Sequence, residues 1–124
     1  MIRRCVLIAL VSLTLVGVGA GTGAAATAYP TRVQVSVGEY WLTLSRLRVP
    51  AGRVKVEIVN YGEDPHDLKL KRIGGTHTYS ISETPSGGRQ VRTWRLSPGR
   101  FHVWCAASDH RAKGMHAILR VRAR

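Results

Sequence analysis

Between Arg32 and Val121 the chain is cut into short stretches in which apolar and polar residues alternate, and this period of two is its strongest constraint. Val33, Val35 and Val37 alternate with Arg32, Gln34 and Ser36, and Val54, Val56 and Ile58 alternate with Arg53, Lys55 and Glu57. Successive side chains of a strand point to opposite faces, so each stretch presents one aliphatic side. Tyr40 to Leu47 follows the same rule, with Leu42 and Leu44 on one face, as does His66 to Lys71 through Leu68 and Leu70. Gln90 to Leu96, Arg100 to Cys105 and Met115 to Val121 read as further strands, with a short one around Tyr79. Turn chemistry separates them: Pro50-Ala51-Gly52, the loop Asn60 to Pro65, Gly74-Gly75, Pro85 to Gly88, and Ser97-Pro98-Gly99. The expected fold is an all-β, antiparallel Greek-key sandwich of about seven or eight strands. Tyr79 to Arg89 and Ala106 to Gly114 could turn into helix, but both are too short and too polar to change the fold class.

The 28 residues before Tyr29 follow a different pattern. Arg3 and Arg4 precede the uncharged apolar run Val6 to Val18, and Ala26-Thr27-Ala28 has the A-x-A form of a cleavage site. Residues 1–28 are therefore read as a signal peptide and residues 29–124 as one domain, exported to a periplasmic or extracellular setting. The apolar run is shorter than the roughly 20 residues needed to span a bilayer, so no membrane span is expected after cleavage. Cys5 precedes the run rather than following it, which excludes a lipoprotein reading. No heptad pattern is sustained, which excludes a long coiled coil.

Residues 29–124 hold 17 Lys and Arg against 7 Asp and Glu, a formal charge of +10. These cations are spread over all the expected strands, with no basic run interleaved with aromatics, so nucleic acid is not the expected partner. The surplus reflects either genome composition or attraction to an acidic docking surface on a partner protein or to an anionic envelope surface. A monomer is expected.

Removing the leader leaves a single cysteine, Cys105. Export to an oxidising compartment makes an unpaired thiol a liability, so it is either a buried small hydrophobe or a metal ligand. Its surroundings favour the ligand. Cys105, His110 and Met115 read C-x4-H-x4-M across a loop between two strands, and His66 lies directly after another loop. Strand parity puts Phe101, Val103 and Cys105 on the core face. Two imidazoles, a thiolate and a thioether are a soft, mixed set; a His2Cys site with a weak axial Met suits an electron-transfer copper ion, whereas structural zinc prefers four Cys or His ligands. His102 and His116 are expected on the opposite faces of their strands, and Trp41, Trp94 and Trp104 are read as packing residues.

At these residues the sequence resembles the cupredoxins, the small blue-copper proteins, over nearly all of residues 29–124. Val49-Pro50-Ala51-Gly52 followed by Val54 to Asn60 is similar to the family's turn and strand leading to its first histidine. Asn60-Tyr61-Gly62 through His66-Asp67-Leu68 resembles its N-x-G…H segment. Pro98-Gly99-Arg100-Phe101 through Cys105 resembles P-G-x-[aromatic]-x-x-x-C, and Met115 to Val121 resembles the closing strand. The resemblance implies one copper ion held in a plane by His66, Cys105 and His110, with Met115 axial. Two departures stand out. Ser108-Asp109 replaces a Pro-Gly common before the loop histidine, and Asp109, Arg111 and Lys113 surround His110 where an apolar patch is usual.

The implied function is a one-electron carrier between redox partner proteins, without enzymatic activity of its own. The sequence also admits two other readings: a protein that delivers or sequesters copper without electron transfer, and a metal-free immunoglobulin-like binding module in which Cys105 is only core.

Overall fold

The alternating stretches do become strands, nine of them, in the computed structural model, which describes residues 29–124 and the isolated Gly19, Gly21 and Gly23. The expected signal peptide, residues 1–28, otherwise lies outside the described residues. The strands are β1 (Thr31–Gly38), β2 (Trp41–Leu44), β3 (Arg48–Pro50), β4 (Gly52–Asn60), β5 (His66–Arg72), β6 (Thr78–Thr84), β7 (Arg89–Leu96), β8 (Gly99–Trp104) and β9 (His116–Arg122). The described residues contain no helix. The stretch Tyr40 to Leu47, expected as one strand, ends at Leu44, and the chain resumes separately as β3.

Two sheets result, ordered β2-β1-β4-β7 and β3-β9-β8-β5-β6. The expected all-antiparallel pairing is corrected at two places: β1 pairs with β4 in parallel, and β3 pairs with β9 in parallel. Both parallel pairs join strands distant along the chain, and no local turn signal reports them. Facing side chains fill the space between the sheets as the period of two requires. Val33, Val35, Val37, Val54, Val56 and Ile58 from one sheet meet Leu68, Leu70, Ile81, Phe101, Val103 and Leu119 from the other, all at most 2% exposed. Burying an aliphatic side chain of this size contributes about 1.5–3 kcal/mol, so this layer is what holds the sheets together.

The second sheet brings three chain ends to one edge. Register pairs Lys69 of β5 with Trp104 of β8, and Trp104 with His116 of β9. The start of β5, the end of β8 and the start of β9 therefore lie side by side. An irregularity in the β5–β6 pairing between His66 and Leu68 places Thr84 opposite His66 and Ile81 opposite Leu68. The Gly38–Trp41 turn of the first sheet closes over the same end through backbone and side-chain contacts described below.

Candidate metal centre

His66 opens β5, Cys105 follows the last residue of β8, and Met115 precedes β9. Cys105 N–H donates to the Met115 carbonyl at 3.1 Å, and Met115 N–H donates to the His110 carbonyl at 3.1 Å. The loop between them is a succession of turns: His110 N–H reaches the Ala107 carbonyl, Lys113 N–H the Asp109 carbonyl, and Gly114 N–H the Arg111 carbonyl. Ser108 turns the chain with φ of 45° and Gly114 with φ of +119°. His110 is thereby folded back over Cys105.

The structure brings together His66, Cys105 and His110, all buried, with their donor atoms turned to one point. His66 Nδ1 lies 3.2 Å from His110 Nδ1, Cys105 Sγ lies 3.8 Å from His66 Nδ1, and Sγ lies 3.6 Å from His110 Nδ1. A triangle with these sides has its centre about 2.1 Å from every corner, where ordinary metal distances are about 2.0–2.1 Å to imidazole nitrogen and about 2.3 Å to thiolate sulfur. The donor set therefore fits one small metal ion, and its softness fits copper. Met115, fully buried, belongs to the same end of the core and is tied by its backbone to two of the three.

Electrostatics match this geometry. Burial pushes the Cys105 thiol above its usual range, and the nearby Asp67 carboxylate adds to that. A cation in the triangle would reverse the preference, because coordination deprotonates a thiol.

Three residues outside the ligand set shape the pocket. Asn60, 1% exposed, donates through Nδ2 to the Asp64 carbonyl at 2.7 Å and the Thr84 carbonyl at 3.0 Å, and its Oδ1 accepts from Gly62 N–H at 2.8 Å. It thus moulds the loop that delivers His66. Asp67 Oδ1 accepts from Ala106 N–H at 2.6 Å, extending the tie between β5 and β8 past their last pair. Glu39, in the β1–β2 turn, accepts at Oε1 from Asp64 N–H (2.8 Å) and at Oε2 from Glu63 N–H (3.0 Å), and its Oε1 lies 2.8 Å from His66 Nε2. The two backbone donors hold its carboxyl down to about 2, with a smaller contribution from His66. Glu39 was invisible as a site residue in the sequence: it is 27 positions from His66 and sits in no recognisable motif.

The remaining histidines lie elsewhere. His116 and His77 are exposed, and His102 is half-buried, with its Nδ1 taking a hydrogen bond from Arg111 at 3.3 Å. Trp94 is half-buried against the core, but Trp41 is not a core residue: it is 41% exposed and stacks on exposed Tyr61 at 6.4 Å. His110 is 7% exposed. Tyr40 packs on its ring at 5.0 Å, the Lys113 ammonium sits 4.2 Å over Tyr40, and Arg111 lies 4.9 Å over Trp104. Asp109 pairs with Lys113 at 3.3 Å, leaving the rim of His110 cationic.

No known protein-family profile matches the sequence, and no curated protein does. Solved structures match in fold. Reduced auracyanin from the photosynthetic bacterium Roseiflexus castenholzii is 15% identical, with 76% of this chain and 98% of that chain covered at a TM-score of 0.62. Rusticyanin from Thiobacillus ferrooxidans is 16% identical, with 77% and 79% covered at a TM-score of 0.57. A multicopper oxidase is 11% identical, with 73% of this chain but 44% of that chain covered at a TM-score of 0.58. Auracyanin and rusticyanin are cupredoxins, and the fold of this chain is the cupredoxin β-sandwich. Its buried cluster of two histidines and a cysteine, with Met115 alongside, fits a single copper ion of the type 1 kind.

Proposed function

We propose that this chain is an exported type 1 copper protein that carries single electrons between redox partners, in which His66 Nδ1, Cys105 Sγ, His110 Nδ1 and Met115 would hold the ion. The observation that carries the reading is the triangle of three buried donors whose common centre lies at metal-bonding distance from each. Bound copper would supply a one-electron Cu(II)/Cu(I) couple. The protein's part is to hold the donors in a frame set by two sheets and a hydrogen-bonded loop, so that little rearranges between oxidation states.

Burial of all three donors favours electron transfer over delivery of the ion. His66 and Cys105 are 0% exposed, and an ion handed to an acceptor would need the loop to open, whereas an electron needs only the His110 edge. Two surface clefts of about 550 and 590 Å³ are lined by residues such as Lys71, His102 and Arg111, and by Ser108, Asp109 and His116; neither is lined by the four ligands. With four protein ligands and no cleft of these two opening on them, a carrier is a better reading than an enzyme. The cationic rim around His110, from Arg111 and Lys113, suits an acidic partner surface.

The test is a visible spectrum. Protein loaded with Cu(II) should show an intense thiolate-to-copper charge-transfer band that reductant bleaches and oxidant restores, and Cys105→Ser should abolish it and sharply lower copper affinity. Protein that binds Cu(II) without that band would refute the carrier. Transfer of Cu(I) to an acceptor chelator without redox cycling would support the delivery reading instead.

A further inference from the structure

The His66 ring has two ends, and metal binding uses only one. Nδ1 faces the cluster, while Nε2 points away from it to Glu39 Oε1 at 2.8 Å. An ionised carboxylate only accepts hydrogen bonds, so this contact requires the proton on Nε2, and in the neutral imidazole that a metal needs Nδ1 is then the nitrogen carrying the lone pair. Glu39 is itself fixed, held by the N–H groups of Glu63 and Asp64 immediately upstream of His66. Its carboxylate also lies against Gly62, where a Cβ would collide with it. One carboxylate from the first sheet thus grips both the loop before His66 and the far end of its ring.

We propose that Glu39 is the positioning residue of this centre: it locks His66 in the Nε2–H tautomer and, by its negative charge, biases the centre toward Cu(II). Partners on the outer nitrogen of a ligating histidine orient the ring and raise its basicity. A more basic, negatively biased imidazole stabilises the doubly charged ion more than the singly charged one. The charge half of this inference rests on the copper reading above; the tautomer half does not.

Two variants separate the roles. Glu39→Gln keeps an acceptor oxygen for Nε2–H but removes the charge, and Glu39→Ala removes both. The first measurement needs no copper: long-range 1H–15N correlation spectra of the metal-free protein should place the His66 proton on Nε2 in wild type and in Glu39→Gln, and show a mixture of tautomers in Glu39→Ala. The second is the reduction potential of the copper-loaded proteins. Both variants should favour Cu(I) over Cu(II) by about tenfold or more relative to wild type, which is about 59 mV for a one-electron couple. A purely structural role would lower thermal stability yet leave the potential of Glu39→Gln where wild type has it. A wild-type His66 protonated on Nδ1, or variant potentials coincident with wild type, would overturn the proposal. Wild-type protein that shows the Nε2–H tautomer but takes up no copper would sustain the positioning role and overturn the proposed function.

Discussion

Replacing Asn60 by Ala removes a buried side chain that makes three hydrogen bonds, two donated to the Asp64 and Thr84 carbonyls and one accepted from Gly62 N–H. Each is worth about 1 kcal/mol net, so the loss should be about 3 kcal/mol. In a domain of this size each kcal/mol moves Tm by about 4–8 °C, so Tm should fall by roughly 12–24 °C. Asn60→Asp sharpens the test. It keeps the acceptor for Gly62 N–H but sets a carboxylate oxygen where Nδ2 stood, 2.7 and 3.0 Å from two carbonyl oxygens. It should therefore cost more than Asn60→Ala at neutral pH and recover in part on acidification, when the protonated carboxyl can donate one bond. Urea unfolding of the metal-free proteins measures both. The loop that Asn60 organises delivers His66, so copper affinity should also weaken. If both variants stay within about 0.5 kcal/mol of wild type, the range of a neutral surface change, then Asn60 does not hold this loop.

Gly62→Ala would drive a methyl group into the Glu39 carboxylate and push it off the Glu63 and Asp64 N–H groups, so it should lower stability in the same urea assay, with no added cost in a Glu39→Ala background. The Glu39 carboxyl is held down to about 2 in the folded state, below its ordinary value of 4.5. Its contribution to stability should therefore be complete above about pH 4.5 and fade as the pH falls toward 2, so that the urea midpoints of wild type and Glu39→Gln converge over that interval. The cationic rim of Arg111 and Lys113 should speed oxidation of the copper(I) protein by ferricyanide at low salt. That rate should fall as ionic strength rises and lose its salt dependence in an Arg111→Glu, Lys113→Glu double variant; a flat wild-type profile in stopped flow would remove the electrostatic docking argument.

The class of fold was readable because a half-buried strand leaves a local record. Val33-Val35-Val37 and Val54-Val56-Ile58 alternate with polar residues along the chain, and those same residues form the core. The metal centre was readable for a related reason. Cys105, His110 and Met115 sit in one loop, and His66 opens a strand, so donor chemistry at those spacings, together with the resemblance to the cupredoxins, singles them out as the candidate donors, three of which the structure brings together. What a linear pattern does not record is which strands become neighbours. The parallel pairing of β1 with β4 and of β3 with β9 depends on the sheets assembling as a whole, and the short β3, paired with β9, is the strand that raises the number to nine. Trp41 packs, but on the surface: its place on the edge strand β2 leaves it 41% exposed and stacked on Tyr61.

The division is sharpest around His66. Its candidacy as a donor, and that of Cys105, His110 and Met115, follows from residue chemistry at particular spacings together with the cupredoxin resemblance, and belongs to the sequence. The triangle of 3.2, 3.6 and 3.8 Å, the burial of its corners and the carboxylate on the far side of the ring belong to the tertiary structure. The reason is range: ligand type and strand face are properties of a residue and its near neighbours, whereas Glu39 meets His66 only because two sheets, joined through a buried core, bring a turn of one against the first residue of a strand in the other.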